Sequence, residues 1–202
     1  MSRIQHRFEF PDRFVAGTVG EPGQRTFFVQ ARKDAQLVAV VCEKQQVEVL
    51  ADHLERILDE LTSLVKGSLV VPPARRVALD LEPLDAPLSE DFRVGTMTLA
   101  WDERLQAIQV ELFSVEQDES GPDLPVDDLP GGMESFDGLD EVLAAAESLS
   151  VAITLDQARD FTARARGLVH AGRPACPLCA QPVDASGHIC PRANGYRRPL
   201  FA

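Results

Sequence analysis

The amino-acid sequence predicts an α+β domain, mainly an antiparallel β-sheet with two amphipathic helices and a C-terminal zinc knuckle. Short apolar stretches separated by Gly and Pro predict strands, and strands that follow one another through short turns favour antiparallel pairing. Residues 44–66 and 155–169 instead repeat apolar side chains at helical spacing. Three of the four cysteines lie within fifteen residues near the C-terminus, which is typical of a metal site.

The N-terminal third of the chain predicts four strands. They span residues 7–10, 13–19, 26–31 and 36–42. The last strand contains an unbroken apolar run from Leu37 to Cys42, which indicates burial on both of its faces. We interpret Cys42 as a small core residue.

The strongest helical pattern runs from Lys44 to Lys66. One apolar stripe is formed by Val47, Leu50, Leu54, Ile57, Leu58, Leu61 and Val65. Lys66 suits the negative end of the helix dipole, and Gly67 suits the position after the last turn. His53 lies beside the stripe, so we interpret it as a histidine of the helix surface.

The middle of the chain predicts a short strand at residues 68–71 and then a polar, proline-containing stretch as far as Asp91. A hairpin follows, with strands at residues 94–101 and 105–115. Apolar and polar side chains alternate in its second strand, which indicates a half-buried strand. We expect Trp101 to close one edge of the core.

The net charge of −12 arises in one segment of the chain. Twelve of the 32 acidic residues, and no Lys or Arg, lie between Glu111 and Ser148. Residues 117–138 within it are rich in Pro, Gly and acids, so we expect a mobile acidic loop. It is interpreted as a solvated insertion, with a charged lid or an intramolecular partner of the basic tail as alternatives. Residues 140–147 predict a short helix at its end.

A last strand leads into the second helix. Apolar side chains alternate along that strand at Leu149, Val151 and Ile153. Thr154 is then the predicted N-cap, and Gln157 completes a capping box. Arg159, Arg164 and Arg166 are assigned to the polar parts of the helix.

These elements predict one domain with two appendages. Residues 1–116 form a β-rich core with the long helix, and residues 117–138 form the acidic mobile loop. Residues 139–172 add the final strand and helix of the same domain. Residues 173–202 form the zinc knuckle and a basic tail.

The C-terminal cysteines have the spacing of a zinc site. The predicted ligands are Cys176, Cys179, His188 and Cys190. A Cys-x2-Cys turn directs two thiolates to one point, and residues two apart in an extended segment face the same way. The pattern predicts a structural Zn²⁺ ion in a closed Cys3His site. Such a site leaves no open position for a reacting water, so it stabilises the fold and does not catalyse.

Other roles of the cysteines fit less well. A redox-active Cys-x2-Cys motif is expected at a strand-to-helix turn, whereas this one follows a helix, and iron–sulfur clusters usually take four cysteines. His170 and Cys42 are the alternatives to His188 as the fourth ligand.

Arginines follow the zinc motif and recur near the N-terminus. The candidate anion-binding residues are Arg13, Arg25, Arg192, Arg197 and Arg198. The guanidinium group matches phosphate and carboxylate geometry, so the tail either docks on carboxylates of the domain or forms an anion site beside the zinc. Tyr196 is a candidate for stacking on a ligand or for covering the zinc knuckle.

Three C-terminal motifs carry a family resemblance. They are Cys176-Pro-Leu-Cys179, Gly187-His188-Ile-Cys190-Pro191-Arg192 and Asn194-Gly195-Tyr196-Arg197-Arg198. They resemble the signature of an actinobacterial family of unknown function, and residues 10–28 and 43–47 are similar to it as well. The resemblance implies no activity. It implies a phosphate-related pathway, with a lipid-kinase-like or histidine-phosphatase-like protein as a candidate partner.

Three function classes follow from these features. The first is a non-catalytic binding or scaffold protein with structural zinc, because the sequence contains no nucleophile elbow, zinc-protease motif or P-loop. The second is an enzyme or ligand-binding protein that acts on a phosphorylated or carboxylated small molecule through an arginine-lined pocket. The third is a nucleic-acid binder, which the acidic charge disfavours. We expect the first, with a protein or an anionic small molecule as its partner.

The sequence also predicts the compartment. No apolar run approaches the ~18 residues that a membrane span needs, and the N-terminus has no apolar signal core. We therefore expect a cytoplasmic protein without membrane contact.

Overall fold

A computed structural model describes most of the chain, and its described residues are 4–21, 23–64, 69–115, 145–171, 176–179, 183 and 189–192. The strands are β1 (Ile4–Glu9), β2 (Arg13–Val19), β3 (Thr26–Lys33), β4 (Gln36–Cys42), β5 (Val94–Asp102), β6 (Ala107–Ser114) and β7 (Glu147–Ile153). The helices are α1 (Lys44–Leu64) and α2 (Leu155–His170). These elements confirm the predicted α+β class with two helices.

The strands form two sheets. One sheet has the order β2-β3-β4 and is antiparallel throughout, and the other has the order β1-β7-β6-β5. The β5-β6 and β6-β7 pairs are antiparallel, but β1 runs parallel to β7, with Ile4 opposite Glu147. Mainly antiparallel pairing is therefore confirmed. The parallel pair was not predicted, because no short turn links β1 to β7 and sets their relative direction.

Both sheets and both helices share one hydrophobic core. Strand β2 packs on α2, where the rings of Phe14 and Phe161 stack with centroids 4.9 Å apart. In β4, the run from Val38 to Cys42 is buried on both faces, as the sequence predicted. Cys42 belongs to the core, where burial raises the pKa of its thiol to about 12.

The helices form where the sequence placed them. The buried stripe of α1 consists of Val47, Leu50, Ala51, Leu54, Leu58 and Leu61. At the start of α2, the Thr154 hydroxyl accepts from the Gln157 N–H at 3.2 Å, and the Gln157 side chain accepts from the Thr154 N–H at 3.0 Å. This confirms the predicted capping box. Lys66 and Gly67, the predicted end of α1, lie outside the described residues.

Two predicted elements are wrong as far as the structure describes them. Residues 69–71 form no strand. Proline follows at positions 72 and 73, and proline has no N–H to donate to a ladder. The last part of the predicted helix at residues 140–147 is not helical either. The Ala146 carbonyl accepts a hydrogen bond from the Ile4 N–H, and Glu147 begins β7 because pairing with β1 fixes an extended backbone there.

The proline-containing stretch before β5 covers the outer face of the β2-β3-β4 sheet. We call residues 72–92 the strap. Its Leu84 and Leu88 pack on Phe28, Ala39 and Val41, which point away from the main core. The strap thus buries the second face of β3 and β4.

Close approach of the strap depends on Gly17 of β2. A methyl group added at Gly17 would lie 2.5 Å from atoms of the Leu84 side chain. Any larger residue at this position would therefore force the Leu84 side chain to move from its packed position on the sheet.

Arg164 of α2 is the buried anchor of the strap. Its side chain is only 8% exposed and donates to the carbonyl oxygens of Ala16, Asp80 and Glu82, each at 2.6 Å. The assignment of Arg159 and Arg164 to polar parts of the helix is therefore wrong, since both are buried. Their partners lie up to 148 residues away in the sequence, so no local pattern shows them.

Arg13 of β2 makes the second anchor. Its guanidinium donates to both carboxylate oxygens of Asp80, at 2.6 and 3.0 Å, and to Asp85 at 3.0 Å. The hydrogen bond from Arg13 is the main cause that lowers the pKa of Asp80 below its usual value. Nearby, the buried Gln30 amide bonds both the N–H and the carbonyl of Asp85.

We expect Arg164→Met to destabilise the protein by about 3 kcal/mol, because the Ala16 and Asp80 carbonyls lose their Arg164 donor, and the Glu82 carbonyl and the Asp80 carboxylate each lose one of their two arginine donors. Chemical denaturation measures the change. Arg7→Met is the matched control, since Arg7 is exposed and pairs with Glu9 on the surface, and such pairs contribute ~0–1 kcal/mol. Equal effects of the two substitutions would contradict the anchoring role of Arg164.

The Arg13–Asp80 pair predicts sensitivity to acid. A lowered pKa in the folded state means that the carboxylate stabilises the fold fully above its unfolded pKa of about 3.9, and that this stabilisation is lost as the pH falls through the folded pKa. Asp80→Asn should therefore destabilise the protein at neutral pH, and the difference from wild type should shrink below about pH 4. Denaturation series at several pH values test this. A difference that does not change with pH would contradict it.

Deletion of residues 117–138 should leave the fold intact. These residues lie between β6 and β7, which are antiparallel neighbours, and the Glu147 N–H donates to the Ser114 hydroxyl at 3.1 Å. The two ends of the connection are thus already adjacent, and loop length changes closure by less than about 1 kcal/mol. Thermal unfolding of the shortened chain measures this, and loss of a cooperative transition would show that the segment belongs to the fold.

Candidate metal centre

The candidate site begins just after α2. The Ala171 N–H donates to the Gly167 carbonyl and caps the helix, and the Arg25 guanidinium donates to the Ala171 carbonyl at 2.7 Å. Arg25, which lies between β2 and β3, therefore holds the C-terminal end of α2. Five residues after Ala171, the first cysteine of the cluster follows.

Three cysteine sulfurs converge at this site. The sulfurs of Cys176, Cys179 and Cys190 all lie within 4.8 Å of one another, and those of Cys176 and Cys190 are 3.8 Å apart. Cys176 and Cys190 are buried, and Cys179 is half-buried. The three cysteines form the only group of this kind among the described His, Cys, Asp and Glu residues.

Backbone hydrogen bonds favour the thiolate form of Cys176. The N–H of Cys179 is the main cause, followed by that of Leu178, and together they lower the pKa of the Cys176 thiol. A Cys-x2-Cys turn produces this geometry because its backbone folds back over the first sulfur. Arg192 donates to the Leu178 carbonyl at 2.8 Å, and this hydrogen bond joins the segment that contains Cys190 to the segment that contains Cys176 and Cys179.

The sulfur spacing fits a metal ion and not a disulfide. A disulfide needs an S–S distance of ~2.05 Å, and none of the three cysteines is in a disulfide. Four ligands in a tetrahedron with metal–sulfur bonds of ~2.3 Å would hold two sulfurs ~3.8 Å apart. The distance between Cys176 and Cys190 has this value. The cluster can therefore hold a metal ion.

The fourth predicted ligand, His188, lies outside the described residues. Its two alternatives do not join the cluster in the part of the chain that the structure covers. Cys42 is in the core, and His170 bonds through Nδ1 to the Arg166 carbonyl on the surface of α2.

The candidate anion-binding arginines that are described have other partners. Arg13 pairs with strap carboxylates, Arg25 donates to Ala171 at the end of α2, and Arg192 donates to Leu178. Arg197, Arg198 and the predicted stacking residue Tyr196 lie outside the described residues.

Arg13 lines a surface cavity of about 610 Å³. Asp80, Asp85 and Asp12 line it together with Arg13 and Arg32. Because Asp85 also accepts from Arg32 at 3.2 Å, both arginines are already neutralised by strap carboxylates. The sequence did not indicate this pairing, since Asp80 follows Arg13 by 67 residues with no motif between them.

Neither α1 nor α2 has the length and apolar content of a membrane-spanning helix, and these are the helices that the structure describes.

Comparison with known proteins identifies the family. The model of a family described as "Protein of unknown function (DUF3090)" matches residues 6–190. The chain belongs to this family, and the match includes Cys176, Cys179 and Cys190. Neither the curated proteins nor the solved structures contain a match to the chain.

Proposed function

We propose that this member of the DUF3090 family is a zinc-binding protein with a non-catalytic binding or scaffold role. In this proposal a structural Zn²⁺ ion is bound by Cys176, Cys179 and Cys190, with His188 as the fourth ligand. The observation that carries the proposal is the convergence of three cysteine sulfurs within 4.8 Å of one another, two of them at the 3.8 Å spacing of tetrahedral zinc ligands.

Zinc is favoured over other metals by the chemistry of the donors. Thiolate and imidazole suit Zn²⁺, whereas Mg²⁺ and Ca²⁺ prefer oxygen ligands. A Cys3His set fills all four positions of zinc, so no position is left for a reacting water. The role that fits such a site is to hold a segment that is too short to build its own core.

The binding role rests on the surface next to the metal centre. Leu178 is 50% exposed and Ile189 is 83% exposed, and each directly precedes a cysteine of the cluster. Exposed apolar side chains on a metal-stapled segment suit contact with another protein. Arg192, Arg197 and Arg198 would add contacts to an anionic group of that partner, and a kinase-like or phosphatase-like protein of the same pathway is our candidate. Cysteines that form no disulfide suit a reducing compartment such as the cytoplasm.

Metal content tests the proposal directly. We expect native mass spectrometry of the purified chain to show one zinc ion, and Cys176→Ser to lose most of it because three remaining ligands bind zinc much more weakly. Cys42→Ala is the matched control: it also removes one thiol, but from the core, and should keep the full zinc content. Absence of metal from the wild-type chain, or unchanged zinc in Cys176→Ser, would contradict the proposal.

His188→Ala tests the fourth ligand. We expect it to weaken zinc binding by at least about tenfold in a competition titration with a chromophoric chelator. His170→Ala is the control, because His170 bonds to its own helix. If His170→Ala weakens binding and His188→Ala does not, the ligand assignment is wrong.

A further inference from the structure

A groove lies between the strap and the C-terminal half of α2, and its volume is about 250 Å³. Its apolar lining consists of Val77, Ala78 and Leu81 of the strap and Ala163, Gly167 and Leu168 of α2. None of these residues belongs to the candidate metal centre. The groove is therefore a separate feature of the surface, and its role does not depend on the metal.

Small residues keep the groove open. Ala78 and Ala163 are buried, and Gly167 has no side chain. A methyl group added at Gly167 would meet no atom within 4 Å outside its own stretch of helix, whereas one added at Gly17 would clash with Leu84. The space beside Gly167 can thus accept a ligand without any movement of the protein.

Large apolar side chains of the strap are exposed at the groove. Val77 is 66% exposed and Leu81 is 70% exposed, and both line the groove. Leu79, between them in the sequence, is 76% exposed. Single exposed apolar residues are common on protein surfaces, but several together beside a cavity are typical of a binding surface. An apolar ligand in the groove would remove part of this surface from water.

The charged residues that line the groove are two arginines, Arg76 and Arg164, and no described Asp or Glu lines it. Arg164 shares the Asp80 carboxylate with Arg13, so this ion pair compensates its charge only in part. Arg76 is exposed and has no hydrogen bond or ion pair with any described residue. Its guanidinium group is therefore available to an anion at the groove.

Two larger surface cavities lack this combination of apolar lining and uncompensated positive charge. In the cavity of about 610 Å³, strap carboxylates already pair with Arg13 and Arg32. A cavity of about 690 Å³ along α1 is lined by two arginines and by the acidic residues Asp52, Glu55, Asp59 and Glu60. Of these three cavities, only the groove has a lining that suits an apolar ligand with a negative charge.

We propose that the groove binds a small aliphatic carboxylate, with the apolar chain in the groove and the carboxylate on Arg76. A guanidinium group can donate two parallel hydrogen bonds to a carboxylate. The volume limits the length of the chain. A methylene group is similar in size to a water molecule, which takes ~30 Å³ of liquid, so the groove holds about eight carbon atoms. A ligand of the length of octanoate therefore fits both the charge and the volume.

Titration of the full chain with sodium octanoate at pH 7, followed by calorimetry and by amide NMR shifts, tests the proposal. We expect one saturable site with a dissociation constant between about 10 µM and 1 mM, as befits so small a ligand. The amide signals of Val77, Leu81 and Gly167 should shift. Octylammonium, with the same chain and the opposite charge, should bind at least about tenfold more weakly. No saturable binding of octanoate, or equal binding of octylammonium, would overturn the proposal.

Two substitutions at Gly167 test the location of the chain. Gly167→Leu should fill the groove and weaken octanoate binding by about tenfold or more. Gly167→Ala is the matched control, because one methyl group fits the open space and should change the affinity by less than about threefold. Both replace a helical glycine by a better helix former, so both should keep or raise the melting temperature. Wild-type affinity in a folded Gly167→Leu variant would overturn the proposed site.

Arg76→Gln tests the position of the carboxylate. We expect it to weaken octanoate binding by about fivefold, which is the effect of one exposed ion pair. Arg104→Gln is the matched control, since it removes the same charge from an exposed residue between β5 and β6 and should leave the affinity unchanged. If both substitutions weaken binding equally, or if neither does, Arg76 does not hold the carboxylate and the proposal is wrong.

Discussion

Two arginines that attach the strap to the body hold this fold together. The Arg164 side chain extends from α2 and donates hydrogen bonds to the Ala16 carbonyl of β2 and to Asp80 and Glu82 of the strap. Arg13 of β2 donates to the same Asp80 carboxylate. One acidic side chain thus links a helix, a strand and a segment without secondary structure. Buried guanidinium groups are costly unless every donor finds an acceptor, which makes the position of the strap specific.

The same arrangement determines where a functional site can form. The strap uses Arg13 and Arg32 to bind its own carboxylates, so the charged cavity beside them belongs to the architecture of the fold. The cysteine cluster remains as the group of side chains with chemistry of its own in the described part of the chain. It follows α2 after a short connection, and α2 is the helix that Arg164 fixes. The candidate metal centre therefore follows a helix that Arg164 attaches to the strap.

Sequence periodicity predicted the elements that depend on residues close to one another in the sequence. The stripe of α1, the Thr154–Gln157 capping box and the β5-β6 hairpin depend on residues a few positions apart, and all three are confirmed. The cysteine spacing also predicted a cluster, because a Cys-x2-Cys turn is itself local. The predicted strand at residues 68–71 and the predicted end of the helix at 140–147 were wrong. In such short stretches, tertiary contacts determine the backbone conformation more strongly than local sequence does.

The sequence by itself determined the class of the fold, the cover of the core by two helices and the convergence of Cys176, Cys179 and Cys190. Tertiary structure alone decided that Arg159 and Arg164 are buried, that β1 runs parallel to β7, and that Asp80 binds Arg13. The reason is physical. Side-chain spacing along a helix or strand is fixed by backbone geometry, which a sequence displays directly. The partners of a buried charge are fixed by which distant segments pack together, and nothing in the spacing of neighbouring residues encodes that choice.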